Sequence, residues 1–175
     1  MNPALASLLL DLSSLSDEEA EQKTYREYVR LYMDRKTRKG MMGVRKTHDD
    51  EPVFFYEDRF NHAFFTAPNG VSRPYSKEKF DRVRASRVRW IGQVIRGNID
   101  GTACWWIADP VLRNTLGNII IKRLYVLWDE YYLIWLNPRK GGGWKFSSAY
   151  VADHRYIRKK TRCGRCSWRK KLSRD

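Results

Sequence analysis

No stretch of the chain approaches the run of about 18 apolar residues that a membrane-crossing helix needs. Leu8-Leu9-Leu10 sits in a segment too short to span. The first 15 residues lack the positive charge and cleavage pattern of a secretory signal, so a cytoplasmic protein is expected. Cysteine occurs three times, at Cys104, Cys163 and Cys166. An odd and sparse set argues against the disulfide framework of a small secreted domain. Cys163-Gly-Arg-Cys166 has the spacing of half a zinc ribbon. The other half is missing, because Cys104 stands beside Trp105 and His154 is nine residues upstream of Cys163. Two ordinary thiols in a flexible basic tail are the plainer reading, and no metal or other cofactor is expected.

Acidic side chains are scarce after residue 50. Residues 1–50 hold nine basic and nine acidic groups, whereas residues 51–175 hold 25 basic against 11 acidic and carry all of the net charge of +14. Residues 155–175 alone contribute ten basic groups and one acidic. Such a block is the electrostatic footprint of a partner rich in phosphate, and nucleic acid is favoured over an anionic membrane surface. Hydrophobic residues make up 42% of the chain, with seven Trp and ten Tyr, enough for a real core.

Arginine appears where apolar side chains belong. Stepped at about 100° per residue, residues 80–96 form a helix with Phe80, Val83, Val88, Ile91, Val94 and Ile95 on one arc. Arg84 and Arg87 fall near the middle of that arc, while Arg82, Arg89 and Arg96 lie on the opposite, solvated face. A guanidinium removed from water needs a carboxylate or an anionic ligand. Two readings stand side by side. Arg84 and Arg87 are structural salt bridges, for instance to Asp58 or Asp81, or they form a phosphate site suited to the planar fork of arginine.

The remaining pattern predicts an α+β chain. Residues 3–13 form a short apolar helix. Ser16 and Glu19 make a capping box that opens a helix running to about Arg38, with Tyr25, Tyr28, Val29 and Tyr32 on its apolar face. Residues 40–52 read as a linker, and the change in charge balance there places a boundary between an N-terminal helical appendage (1–50), a domain over 51–158 and a basic tail over 159–175. Ser76 is expected to cap the arginine helix and Gly97-Asn98 to stop it. Ile119–Trp128 and Tyr131–Leu136 form a hairpin, followed by a strand from Trp144 to Val151. On that strand Trp144, Phe146, Ser148 and Tyr150 share a face, with Lys145, Ser147 and Ala149 on the other. Helices followed by an antiparallel meander make the fold class α+β.

Three segments carry a resemblance. The helix Phe80-Asp-x-x-Arg84-x-x-Arg87-Val-x-Trp90-Ile91, the strand Phe146-Ser-Ser-Ala-Tyr150 and the segment Asp58-Arg59-Phe60-Asn61-His62 are together similar to phage-associated nucleases of the barnase–EndoU–colicin–RelE superfamily, over roughly residues 53–158. The resemblance implies one or two helices ahead of a four-stranded antiparallel sheet, and cleavage of RNA without metal. Ser148 stands where the family motif usually has threonine, and no glutamate takes the place of a barnase-type base.

Such chemistry needs a base for the 2′-hydroxyl, an acid for the departing 5′-oxygen and cations for the phosphate. His62, flanked by Phe60, Phe64 and Phe65, is the candidate acid–base group, against the reading of a core histidine bonded to a backbone carbonyl. His154 reads as a solvated loop residue and His48 as inert. Arg84 and Arg87 would hold phosphate, Ser148 would donate to a non-bridging oxygen, and Tyr150 would orient either. Arg82, Arg89, Lys145, Arg155, Arg158, Lys159 and Lys160 are candidate nucleic-acid contacts, and Trp144 a candidate for stacking on a base. The expected function is a metal-independent endoribonuclease of toxin or phage-effector type, open to control by a protein inhibitor. The alternative is a non-catalytic basic phage protein that grips nucleic acid or a nucleic-acid-handling host complex as an inhibitor or regulator. A third is a zinc-dependent nucleic-acid module built on Cys163 and Cys166.

Overall fold

The computed structural model describes residues 2–66, 79–99, 105–113, 116–162 and 164–169. Helix α1 (Pro3–Ala6) starts at Asn2, whose side-chain oxygen accepts from the Ala4 N–H at 2.9 Å. Helix α2 (Asp17–Tyr32) opens on the expected capping box. The Ser16 N–H donates to Glu19 at 2.8 Å, and the Glu19 N–H donates to the Ser16 hydroxyl at 3.2 Å. It ends at Tyr32 rather than near Arg38, and the chain turns into a hairpin of β1 (Arg35–Thr37) and β2 (Gly40–Lys46). Close approach forces this stop. Gly43 lies so near the helix end that a Cβ on it would stand 1.9 Å from the Tyr32 carbonyl oxygen.

The segment expected as a linker is therefore strand β2 and the turn into β3 (Pro52–Tyr56), with which β2 pairs antiparallel. Helix α3 (Arg59–Phe64) follows, then a two-stranded ribbon of β4 (Phe65–Thr66) and β5 (Lys79–Phe80). The expected single arginine helix is two short ones, α4 (Arg82–Ala85) and α5 (Trp90–Arg96), joined by tight turns in which Arg87 N–H bonds to Arg84 and Val88 N–H to Ala85. That break changes the helical phase, and Val83, placed on the apolar arc, is 54% exposed. Asp81 caps α4, Ser76 lies outside the described residues, and Gly97 closes α5 in a left-handed conformation at φ +70°.

The main sheet continues with β6 (Trp105–Arg113), β7 (Ile119–Ile121), β8 (Arg123–Leu127), β9 (Tyr132–Pro138) and β10 (Trp144–Val151), then helix α6 (His154–Arg162) and β11 (Gly164–Arg169). Its order is β1-β2-β3-β10-β9-β8-β6-β11, with β7 added on β6. Neighbours are antiparallel except β3 and β10, which run parallel over Trp144–Lys145 only. The fold is α+β with a mostly antiparallel sheet. Residues 164–169, expected in a flexible tail, form an edge strand against β6.

Period-two alternation along β8 and β9 sends Tyr125, Leu127, Tyr132, Ile134 and Leu136 into one core and Leu124, Val126, Leu133 and Trp135 into a second on the other face. The first core is shared with Leu5, Leu10, Tyr28 and Tyr32, so the N-terminal helices are built into it and the boundary expected at 40–52 falls inside the β2–β3 hairpin. Its centre is a stack of rings, Tyr32 on Phe55 at 4.5 Å and Phe55 on Phe146 at 4.9 Å. Helix α6 covers the second core through Ile157.

Candidate functional site

Strand β10 is where the elements converge. Because β3 pairs with it only at its start, the edge from Phe146 onward is open to α3 and α4, and both helices pack against it. A bulge between Phe146 and Ser148 splits the face expected to be continuous. Phe146 and Ala149 enter the first core, whereas Ser148 opposes Trp135 and Tyr150 opposes Leu133 on the second face. Ser148 and Tyr150 thus share a face with each other but not with Phe146.

Arg84 is aimed by its own helix start. Asp81 accepts from the Arg84 N–H at 3.1 Å and pairs with its guanidinium at 3.0 Å. The guanidinium lies over the Tyr150 ring, 5.0 Å from its centroid. The Tyr150 hydroxyl accepts from Trp135 Nε1 at 3.0 Å and shares a hydrogen bond of 2.9 Å with the Tyr156 hydroxyl of α6. Burial and the neighbouring Tyr156 push the Tyr150 hydroxyl well above its ordinary range, so it keeps its proton.

His62 is exposed on α3, between the buried Phe60 and Phe64, and is not a core histidine. Crowding by its surroundings lowers its pKa below the usual 6.5, and the positive charges of Arg59, Arg84 and Lys122 lower it further against the carboxylate of Asp58. Burial and these charges together favour the neutral imidazole. No hydrogen bond joins Ser148 to His62 among the described residues.

Arg87 stands apart from that group. Its Nη1 donates to the Val83 carbonyl at 2.7 Å, its guanidinium lies over Trp90 at 4.9 Å, and its buried Nε has no partner among the described residues. Among the described residues it pairs with no carboxylate, so of the two salt bridges expected as an alternative only that of Arg84 with Asp81 is present. Tyr132 lies within electrostatic reach of both arginines, and its buried hydroxyl also has no partner among the described residues.

Arg82 and Arg89, expected on a solvated face, hold the N-terminal segment. Arg82 pairs with Asp17 at 2.7 Å and donates to the carbonyls of Leu12 and Leu15, and Arg89 pairs with Glu27 beside Arg30. Lys145 approaches Asp58 at 3.9 Å and lies over Tyr56. Trp144 is covered by the Arg123 guanidinium at 4.5 Å and donates to Glu51, so that side of its ring is not open to a base. On α6, Arg155, Arg158 and Lys159 are exposed, while Lys160 turns over the Tyr156 ring at 5.3 Å. His154 opens that helix near Trp128 and Tyr131, and His48 meets the Tyr125 hydroxyl at 3.2 Å rather than standing idle in a linker.

Two residues escaped the reading of the sequence. Arg123 is buried and pairs with Asp49, Glu51 and Asp109 at 2.9, 2.8 and 3.2 Å. Its signal was an arginine opening the apolar run Leu124–Leu127. Lys122, next to it, is partly buried, and burial lowers its pKa. The zinc question concerns Cys104 and Cys163, which lie outside the described residues, and the side chain of Cys166, which does too. Compared with protein-family models, curated proteins and solved structures, the chain matches none.

Proposed function

We propose that this protein cleaves RNA through attack of the 2′-hydroxyl on the adjacent phosphodiester, with the site at the open edge of β10. The observation that carries the reading is the placement of His62, exposed on α3 where that helix packs on β10, beside α4, whose Arg84 guanidinium is held over Tyr150 of the same strand; the lowered pKa of His62 favours its neutral form. A neutral histidine takes a proton at pH 7, and fixed guanidinium groups hold a phosphate whose charge grows in the transition state. His62 removes the 2′-hydroxyl proton, the 2′-oxygen bonds to phosphorus and the P–O5′ bond breaks. The imidazolium then returns the proton to the departing 5′-oxygen. The products are a 2′,3′-cyclic phosphate and a 5′-hydroxyl. Tyr150, protonated and tied to Trp135 and Tyr156, has a hydroxyl available for positioning but not as a base. Among the charges acting on His62, the cations of Arg59, Arg84 and Lys122 outnumber the one carboxylate, Asp58, and on that balance the chemistry is read as metal-independent.

The test is cleavage of mixed-sequence RNA by purified protein. His62→Ala is expected to slow it by at least about 10²-fold, the scale for losing an acid–base group, and EDTA is expected to leave the wild type active. Intact RNA after incubation with wild-type protein, with and without metal, overturns the enzymatic reading. In that case the exposed Arg155, Arg158 and Lys159 of α6 favour a protein that grips nucleic acid without cutting it.

A further inference from the structure

The sheet carries a row of side chains that belongs to neither core among the described residues. Strand β3 alternates: Val53 and Phe55 are fully buried in the first core, so Phe54 and Tyr56 emerge on the opposite face. Strand register sets Val44 of β2, Phe54 of β3, Lys145 of β10 and Asn137 of β9 side by side across four strands. Met42 stands beside Tyr56 in the neighbouring row. None of these residues joins the second core under α6. Phe54 and Tyr56 are half-buried all the same, and a cation lies over each of them.

Arg139, in the turn after β9, holds its guanidinium 4.0 Å from the centroid of the Phe54 ring. The turn fixes it there. The Arg139 N–H donates to the Gly143 carbonyl at 3.1 Å, the Gly142 N–H donates to the Arg139 carbonyl at 3.0 Å, and a Cβ on Gly141 would stand 3.1 Å from Arg139 Nη1. Lys145 Nζ lies 4.6 Å from the centroid of the Tyr56 ring. Positions two residues apart on a strand are about 6.6 Å apart, close to the step between successive phosphates of an extended nucleic-acid strand. A guanidinium stacked on a ring is held by its face and keeps its N–H edge free for a phosphate oxygen. Arg139 is exposed and forms no ion pair among the described residues. The carboxylate nearest Lys145, Asp58 at 3.9 Å, is held more closely by Arg59 at 2.8 Å. Arg139, Lys145 and Arg59 thus share one carboxylate, a balance that attracts a polyanion and repels a second copy of a chain of net charge +14. Beside Lys145, the buried amide oxygen of Asn137 has no hydrogen-bond partner among the described residues. Turning that amide outward breaks no bond to its oxygen and offers an acceptor to a ribose hydroxyl or a base N–H.

We propose that this face binds a single nucleic-acid strand, with successive backbone phosphates on Arg139 and Lys145 and the strand continuing past Arg59 to His62. Arg59 and His62 lie one turn apart on α3, so the track leads into the site at the open edge of β10. The proposal rests on the nucleic-acid reading above and adds where the strand lies and which cations hold it. The two rings orient the cations and do not stack on bases.

The probe is a 2′-O-methyl RNA decamer, which 2′-attack cannot cleave, and the readout is its affinity as a function of salt. Arg139→Gln and Lys145→Gln are each expected to weaken binding and to reduce the slope of log K against log salt by about 0.7, the value for one lost single-strand phosphate contact. Arg26→Gln removes an exposed cation on α2, across the first core, and is expected to leave the slope unchanged. Unchanged affinity and slope in both variants of the track, with melting temperatures equal to wild type, overturn it. So does an equal fall in slope for Arg26→Gln, which marks a diffuse cloud of charge. Because neighbouring cations compensate a single loss, Arg139→Glu and Lys145→Glu are also combined; the double variant is expected to abolish decamer binding, and retained binding overturns the track as well. The two proposals fail separately. Binding that depends on Arg139 and Lys145 in a protein that leaves RNA intact keeps the track and removes the nuclease. Cleavage with a KM indifferent to both residues does the reverse.

Discussion

Arg84 and Arg87 differ by one helical turn and by their whole chemistry. Arg84 has a carboxylate beside it and an aromatic ring beneath it, so its orientation is set before any ligand arrives. Arg87 has a ring beneath it and no carboxylate. Arg87→Ala therefore orphans no buried charge, and the expected loss of stability is about 1 kcal/mol from packing on Trp90, seen as a small drop in melting temperature. Arg123 behaves in the opposite way. Arg123→Met leaves Asp49, Glu51 and Asp109 facing one another without their shared cation, and a loss of about 3–5 kcal/mol is expected in denaturant unfolding. A loss below about 1 kcal/mol would mean that the three carboxylates find water or other cations instead. For His62 the pH dependence is the discriminating measurement. If the proposed role as base holds, its lowered pKa is expected to give a cleavage rate that rises with pH at a point below 6.5 and is level above it. A rate that falls across that range assigns His62 as the acid.

At the scale of elements, the N-terminal helices and the β1–β2 hairpin are parts of the main body. Tyr32 stacks on Phe55 and Phe55 on Phe146, with Tyr28 tilted or edge-on against all three, and Arg82 and Arg89 tie α2 to the arginine segment. A chain beginning at Glu51 is accordingly expected to lose cooperative unfolding, as read by circular dichroism on heating, and a sharp transition in that shortened chain would contradict the shared core. Gly43→Ala is a more local check. Its new methyl would collide with the backbone of Tyr32, which cannot swing aside as a side chain can, and a cost of about 3 kcal/mol is expected.

For the whole molecule, acid is expected to unfold the protein in two stages. His48 and His62 both have lowered native pKa values, so the unfolded chain binds more protons than the native one and stability is lost as pH falls below about 6.5. Glu27, held down to about 2 by Arg30 and Arg89, contributes stability that is present above its ordinary 4.5 and is lost between there and about 2. Melting temperature against pH in wild type, His62→Gln and Glu27→Gln separates the stages. His62→Gln should lessen the loss in the upper window, to which His48 also contributes, and Glu27→Gln the loss in the lower one, which it shares with Asp49 and Glu57.

What the sequence determined by itself is what local chemistry controls. The α2 capping box, the Gly97 stop, the β8–β9 hairpin and the limits of β10 all follow from residues within a few positions of one another, and the structure has each of them. The α+β class follows from the same local periods. Tertiary structure decided whatever depends on contacts distant in sequence. Helix α2 stops at Tyr32 because Gly43 must approach its end, and residues 40–46 become a strand because β3 is there to pair with them. The bulge in β10 reverses the side on which Tyr150 emerges, which no alternation pattern can reveal, since one unpaired residue exchanges the two faces. Arg82 and Arg89 looked like free cations because their carboxylates, Asp17 and Glu27, lie more than sixty positions away.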